Sequence, residues 1–336
     1  MPNISRPVQK VLVIRFSSIG DIVLTTPVLR GLKQQADAEV HFLTKNAFAP
    51  VLEANPYIDR MHTISKEVGE VLPELKAARF DFVVDLHHNL RSWRVKRALG
   101  APGASFPKLN REKWMLVRLK ARHLPDVHIV DRYLYAVRAL GVVYDGKGLD
   151  YFVPPASEVD PRIYVPDGRF AVIAIGAAHA TKRLPAGQIE AVCRSMSLPV
   201  LLIGGPADRP VGEQVSARAG SHVQNLCGAL SLNQSASLIR QAAVVISHDT
   251  GMMHVAAAFK KPLVSVWGNT VPDFGMSPFY PDGMTPHILH EVEGLSCRPC
   301  SKIGYDRCPR GHFRCMEDQD AGKIAADAEM LAGVQG

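Results

Sequence analysis

The sequence predicts an α/β chain of two doubly wound units, and three observations lead there. A strand, a polar turn containing glycine and a helix occur near the N-terminus at 10–33, and the same succession recurs at 244–259. Further strand signals at 39–44 (EVHFLT), 80–86 (FDFVVDL), 170–176 (FAVIAIG) and 199–205 (PVLLIGG) alternate with helical or loop segments, the pattern of a parallel sheet covered on both faces. A stretch rich in proline and acid at 154–168, PPASEVDPRIYVPDG, breaks the alternation. It places the linker between an expected domain 1–160 and a second, 161–317. A terminal helix is expected over 318–336, with Ile324, Ala328 and Leu331 on one face.

Each turn has its own chemistry. After the strand KVLVIRF comes Ser17-Ser18-Ile19-Gly20-Asp21, and Ile22, Val23, Thr26, Leu29 and Leu32 then fall at helical spacing. Asp21 at this helix start fits a helix cap, a catalytic carboxylate, or both. In the second turn, Val244, Val245 and Ile246 are a β-branched run, 247–251 is polar and ends on Gly251, and 252–259 has helical composition. Asp249 and Thr250 therefore sit where free backbone N–H groups and the positive end of a helix dipole converge, a setting that stabilises an anion such as pyrophosphate. His254 lies four residues after Thr250 on the same face. The same residues also fit a simple N-cap and a core histidine. Neither turn is a GxGxxG fingerprint or a Walker loop.

Composition narrows the partners. The chain has 336 residues, 47% hydrophobic and 21% charged, enough for two domains of ordinary size. No apolar run reaches membrane-spanning length, and MPNISRPVQK has no secretory h-region, so a cytoplasmic protein is expected. The net charge of +7 and pI near 9.1 favour phosphorylated ligands or the anionic face of a membrane. Nucleic acid is not expected, because the basic residues are not interleaved with stacking aromatics.

Taken together, RFSSIGDIVLTTPVLRGLK from Arg15, FDFVVDLHHNLRS from Phe80, GAAHATKRLP from Gly176, LLIGGPAD from Leu201, NLCGALSLNQSASLIRQAAVVISHDTGMMHVAAAFKKPLVSVWG from Asn225 and SPFYP from Ser277 resemble the ADP-heptose:lipopolysaccharide heptosyltransferases, glycosyltransferase family nine. The resemblance runs collinearly over nearly the whole chain. Its most specific parts are the Ser-x-x-Gly-Asp turn and the Asp-Thr-Gly-x-x-His element.

The resemblance implies two Rossmann-like domains in the B-type glycosyltransferase fold, with a C-terminal helix packing back across the interdomain region. It further implies inverting, metal-independent transfer of heptose, or a related sugar, from an ADP-sugar to a lipid-anchored, anionic lipopolysaccharide core at the inner face of the cytoplasmic membrane. Asp21 matches the proposed base, and Lys182 a donor-phosphate lysine. Thr181, Asp249, Thr250, Gly251 and His254 complete the expected donor site, while Arg183 either assists or is solvated. Ser18, Gly20, His87, Asn89 and Arg91 form the expected acceptor side; Arg118, Lys120, Arg122 and Arg132 add charge in the same domain, with Arg118 to Arg122 reading best as an ordinary solvated surface.

Cys297, Cys300, Cys308 and Cys315 stand at spacings open to a structural zinc site or to reduced thiols in a basic loop, while Cys193 and Cys227 read as isolated buried thiols. Two other functions remain open to the sequence: a nucleotide-sugar epimerase or hydrolase on the same architecture, and a non-catalytic, zinc-stapled anion-binding protein.

Overall fold

The computed structural model describes residues 8–284 and 286–334. The chain forms two compact units, Met1–Lys108 with Val127–Phe152, and Leu109–Asp126 with Val153–Gly336. The first begins with β1 (Lys10–Ile14), a short helix α1 (Ile19–Val23) and α2 (Thr26–Gln34), followed by β2 (Glu39–Lys45) and β3 (Arg60–Ile64). It continues with α3 (Leu72–Ala78), β4 (Phe82–Asp85), α4 (Leu90–Leu99) and β5 (Gly103–Ser105). The five strands are parallel in the order β3-β2-β1-β4-β5. Helices on both faces make the central strands continuous apolar runs, and Val11, Leu12, Val13 and Ile14 of β1 are all fully buried.

One buried cation ties the end of this unit to its beginning. Arg30 of α2 is 2% exposed. Its Nε and Nη2 donate to the two carboxylate oxygens of Asp145 at 2.6 and 2.7 Å, it pairs with Asp150, and Nη2 donates to the Gly148 carbonyl at 2.9 Å. Burial alone would lower the Arg30 pKa, but the two carboxylates override it and raise it.

In sequence, α5 (Asn110–Leu119) precedes α6 (Ile129–Tyr135), yet only α6 belongs to the first unit. The linear reading placed 109–126 in the N-terminal domain. In the structure the buried face of α5 packs Leu116 against Val271 and Phe274. Lys120 Nζ donates to the carbonyls of Cys297 and Pro299 at 3.1 and 2.7 Å, and Arg122 pairs with Asp273 at 2.9 Å. These basic residues are therefore tethers within the second unit.

The second unit contains β6 (Ala171–Ala174), α7 (Ala186–Arg194), β7 (Val200–Ile203), α8 (Arg209–Ala219), β8 (Val223–Asn225) and α9 (Leu232–Gln241). Then come β9 (Val244–His248), α10 (Gly251–Ala258), β10 (Leu263–Trp267), β11 (His287–Glu291), α11 (Arg314–Glu317) and α12 (Ala321–Ala332). Six parallel strands run β11-β10-β9-β6-β7-β8. Read from the other edge, this is the 3-2-1-4-5-6 order of a dinucleotide-binding sheet.

The terminal helix expected to reach across the interdomain region is part of this unit. Ile324, Ala325 and Ala328 of α12 join its core, with Leu331 partly buried beside them. The stretch 154–168 is likewise docked: Val159 N donates to Ser237 Oγ of α9 at 3.1 Å, and Glu158 pairs with Arg240 at 2.6 Å.

Removing the Arg30 side chain leaves two carboxylates without their buried partner. Arg30→Ala is expected to destabilise the protein by about 3–5 kcal/mol at neutral pH, read by urea unfolding. Hydrogen bonding to Arg30 holds the Asp145 pKa below its ordinary value. The native state thus binds fewer protons there than the unfolded chain, and this contribution is present above about pH 4 and lost on acidification through the lower folded pKa. The variant should lack that component of acid sensitivity.

Candidate active site

In each sheet the strand order reverses between two neighbours, β1 and β4 in the first unit and β6 and β9 in the second. The loops leaving such a pair turn to opposite faces of the sheet, which opens a crevice at the carboxyl ends of the strands. Every site residue expected from the sequence follows one of these four strands. Ser18, Gly20 and Asp21 follow β1, and His87, Asn89 and Arg91 follow β4. Thr181 and Lys182 follow β6, and Asp249, Thr250, Gly251 and His254 follow β9.

The first crevice is organised by Arg15, which directly follows β1 and is 9% exposed. Its Nη2 lies 2.7 Å from Asp21 Oδ1, Nη1 donates to Tyr133 Oη at 2.9 Å and to the Leu86 carbonyl, and Nε donates to the Ser17 carbonyl at 2.7 Å. Burial disfavours this cation, but Asp21 and its other neighbours raise its pKa above the ordinary value. Ser18 donates to Asp21 Oδ2 from its backbone N at 3.2 Å and from Oγ at 2.8 Å. Asp21 is thus at once part of the start of α1 and a carboxylate fixed in orientation by charged and neutral donors. Gly20 is buried within α1, whereas Ser18 is exposed.

On the β4 side, Asp85 is fully buried. It accepts from the backbone N–H groups of His87 and His88 at 3.1 and 2.6 Å and from Ser92 Oγ at 2.9 Å, and pairs with Lys96 at 3.0 Å. Sequence reasoning did not single it out, although an acid closing an apolar strand was a signal. His87 packs edge-on against Phe16 with ring centroids 5.0 Å apart; burial, with Arg15 adding to it, lowers its pKa to about 4, so it is neutral at pH 7.

Two expected contributions change. Asn89 is the N-cap of α4, its Oδ1 accepting from Ser92 N at 3.0 Å, so that oxygen is already engaged. Arg132 is 3% exposed within α6 and adds no surface charge. Arg91 is half-buried and has no hydrogen bond or ion pair among the described residues.

The second crevice is stitched across its strand pair. Lys182 Nζ donates to Asp249 Oδ2 at 2.5 Å and to the Asp249 carbonyl at 3.2 Å, and Thr270 Oγ1 donates to the same Oδ2 at 2.7 Å. His248 Nε2 accepts from Leu184 N at 3.0 Å, so its proton is on Nδ1, and burial pushes its pKa down to about 4. These bonds fix the loop after β6 to the end of β9. Arg183 is partly exposed and is engaged within its own unit: Nε donates to the Ala177 carbonyl at 2.8 Å, and Nη1 lies 3.3 Å from Asp208 Oδ1. Gly176 is required beside that carboxylate, because a Cβ there would fall 2.4 Å from Asp208 Oδ2.

Thr181 does not offer the expected phosphate contact. It is 2% exposed, and its hydroxyl donates to the Tyr305 carbonyl at 3.1 Å and accepts from Tyr305 N at 2.8 Å, anchoring the cysteine-rich loop. His254 is also 2% exposed, inside α10, and presents almost no surface to a ligand. Thr250 and Gly251, half-buried at the start of α10, are the accessible part of the turn. Cys297, Cys300, Cys308 and Cys315 are free thiols. Among the described residues no group of three or more His, Cys, Asp or Glu is placed to hold a metal ion.

The neutral, buried histidines make stability depend on pH. Between about pH 4 and 6.5 the native state binds fewer protons at His248 than the unfolded chain, so stability rises with pH across that window. The expected slope from this one group approaches about 1.4 kcal/mol per pH unit at most. His248→Gln, which keeps an acceptor for Leu184 N, should flatten the slope in denaturant titrations at pH 4.5 and 6.5. An unchanged slope would mean that His248 titrates normally.

Comparison with known proteins agrees with this arrangement. The model of glycosyltransferase family 9 (heptosyltransferase) matches residues 68–299. Lipooligosaccharide heptosyltransferase 2 of Haemophilus influenzae is 34% identical over 109 residues, a match covering 31% of each chain. Lipopolysaccharide heptosyltransferase 2 of Escherichia coli is 26% identical over 323 residues, covering 84% of this chain and 87% of the relative. The solved structure of E. coli ADP-heptose lipopolysaccharide heptosyltransferase II has the same fold, with a TM-score of 0.70 at 19% identity over 96% of this chain and 98% of that one. With more than half of its length matched by the family model, the chain belongs to glycosyltransferase family 9.

Proposed function

We propose that this enzyme transfers a heptose from ADP-heptose to a hydroxyl of a lipopolysaccharide core, in a single inverting displacement that requires no metal ion. Family membership and the names of its relatives support the substrate class. The observation that carries the chemistry is the pair of switch-point crevices, one holding an oriented carboxylate and the other a paired lysine at a helix start.

Asp21 is the base. As the acceptor oxygen attacks the anomeric carbon and the bond from that carbon to the phosphate oxygen breaks, Asp21 takes the acceptor proton and ADP departs. Arg15 and Ser18 hold the carboxylate in place for that transfer. The negative charge growing on the departing diphosphate is met by Lys182 and by backbone N–H groups at Thr250 and Gly251. Asp249 does not repel the phosphate, because Lys182 neutralises it. With two donors directed at Asp249, the ammonium retains a third for a phosphate oxygen.

His87 and Arg91 face the acceptor in this reading, with a lipid-anchored substrate at the inner face of the cytoplasmic membrane. No helix among the described residues is long and apolar enough to cross a membrane; in this reading the encounter is peripheral.

Asp21→Asn should lower turnover about 100- to 10,000-fold while leaving ADP affinity nearly unchanged, and the chain should still fold, with a melting temperature lowered by the loss of the charge beside buried Arg15. Loss of folding instead would make Asp21 a cap alone. Lys182→Ala should weaken ADP binding about tenfold or more by calorimetry, the size of a lost charge-assisted bond. Unaltered affinity would remove Lys182 from the donor site. Wild-type enzyme that releases free sugar from ADP-heptose without needing an acceptor would overturn the transferase reading.

A further inference from the structure

Two of the chain's three tryptophans stand on its surface. Trp93 is 50% exposed and Trp114 56%, whereas Trp267 is 1% exposed. An indole left in water marks a surface that meets a partner. On α4, Ser92 and Val95 are buried, while Leu90 (65% exposed), Trp93, Arg94 and Arg97 fall at i, i+3, i+4 and i+7 on the outward face. The Arg97 guanidinium lies 5.6 Å from the Trp93 ring centroid, which holds the ring beside its cation.

The charge on this helix has one sign. Its ten residues, LRSWRVKRAL, contain four cations and no acid. Lys96 is engaged by Asp85 and Ser105, but Arg94 and Arg97 have no ion pair or hydrogen bond among the described residues. Helix α5 repeats the pattern in the other unit: Trp114 and Leu119 (62% exposed) stand with Arg111 and Arg118.

We propose that the outward face of α4, made by Leu90, Trp93, Arg94 and Arg97, docks on an anionic lipid bilayer. Tryptophan and leucine suit the headgroup level, where an amphipathic ring keeps both its apolar and its polar contacts. Unpaired arginines suit phosphate headgroups. An acidic protein would satisfy the cations but would leave the protruding leucine and indole without the apolar layer that a bilayer supplies. Arg91, at the same helix start, stands at the mouth of the first crevice, so docking through α4 brings a lipid-anchored substrate to that crevice. The inference rests on the proposed acceptor being lipid-anchored.

The test is cosedimentation of the full chain with vesicles of phosphatidylglycerol and phosphatidylethanolamine, against pure phosphatidylcholine, at low and high salt. Wild type should bind the anionic vesicles and lose binding as salt rises. Arg94→Ala with Arg97→Ala should weaken partitioning roughly 30-fold at low salt, and Trp93→Ala should weaken it about fivefold at either salt. Both variants should keep the wild-type melting temperature and turnover on a delipidated, soluble core acceptor. Variants that bind like wild type, binding equal on neutral vesicles, or wild type that ignores vesicles and binds RNA or polyglutamate instead would each overturn the proposal. Wild type that binds anionic vesicles through α4 yet transfers no sugar would overturn the function instead, so the two failures are separable.

Discussion

A parallel sheet whose strand order reverses cannot close its own carboxyl edge at the reversal, and both sites of this enzyme depend on that constraint. At β1/β4 and at β6/β9 the following segments diverge, leaving strand ends, loop N–H groups and helix starts facing one space. The open space has to be held open by something other than apolar packing. In both units a charged group does this from below: Arg15 joins Ser17 after β1 to Leu86 after β4, and the Lys182–Asp249 pair joins the loop after β6 to the end of β9. Charges this buried persist only when paired and hydrogen-bonded. The same bonds that satisfy them fix the geometry of the crevice.

The two crevices use this device to opposite chemical ends. In the first, the cation is the more deeply buried partner and the carboxylate Asp21 the more accessible one, with side chains 11% and 21% exposed. What this pair leaves accessible is a carboxylate. In the second, the carboxylate is the more buried at 11% against 17% for Lys182, which leaves the cation the more accessible. An Asp paired with Lys or Arg at a strand reversal thus leaves either the carboxylate or the cation accessible, according to which partner lies outside.

What was legible in the sequence followed from local order. The strands, their alternation with helices and the two strand–turn–helix elements rest on apolar runs and glycine placement within a few residues. Asp21, Lys182 and Thr250 could be singled out as candidates because their turns are local too. Arg15, Asp85 and His248 were not, because their meaning lies in partners far along the chain: Arg15 reaches Tyr133, 118 residues away, and His248 reaches Leu184, 64 residues away. Thr181 was misjudged for the same reason. Its hydroxyl beside Lys182 looked like a phosphate ligand until Tyr305, 124 residues on, took both its hydrogen-bonding roles. Helix α5 shows the effect at the scale of a domain, since its assignment turns on Leu116 meeting Val271 and Phe274 rather than on anything near it in sequence.

The cysteine-rich segment follows the same logic. Its spacing invites a metal, yet its placement is secured by ordinary polar bonds: Thr181 holds Tyr305, Arg298 donates to the Gly268 carbonyl and pairs with Glu291 at 2.8 Å, and Lys120 of α5 donates to the carbonyls of Cys297 and Pro299. Apart from that of Lys120, these contacts end on an element that borders the second crevice or on the strands beside it. Thr181 is the neighbour of Lys182, and Gly268 and Thr270 follow β10, which pairs with β9. The loop therefore acts as a brace: by fixing Thr181 on one side, and by donating from Arg298 to the carbonyls of Gly268 and Thr270 on the other, it limits how far Lys182 and Asp249 can separate. A segment without a recognisable catalytic role thereby helps to set the position of the Lys182–Asp249 pair.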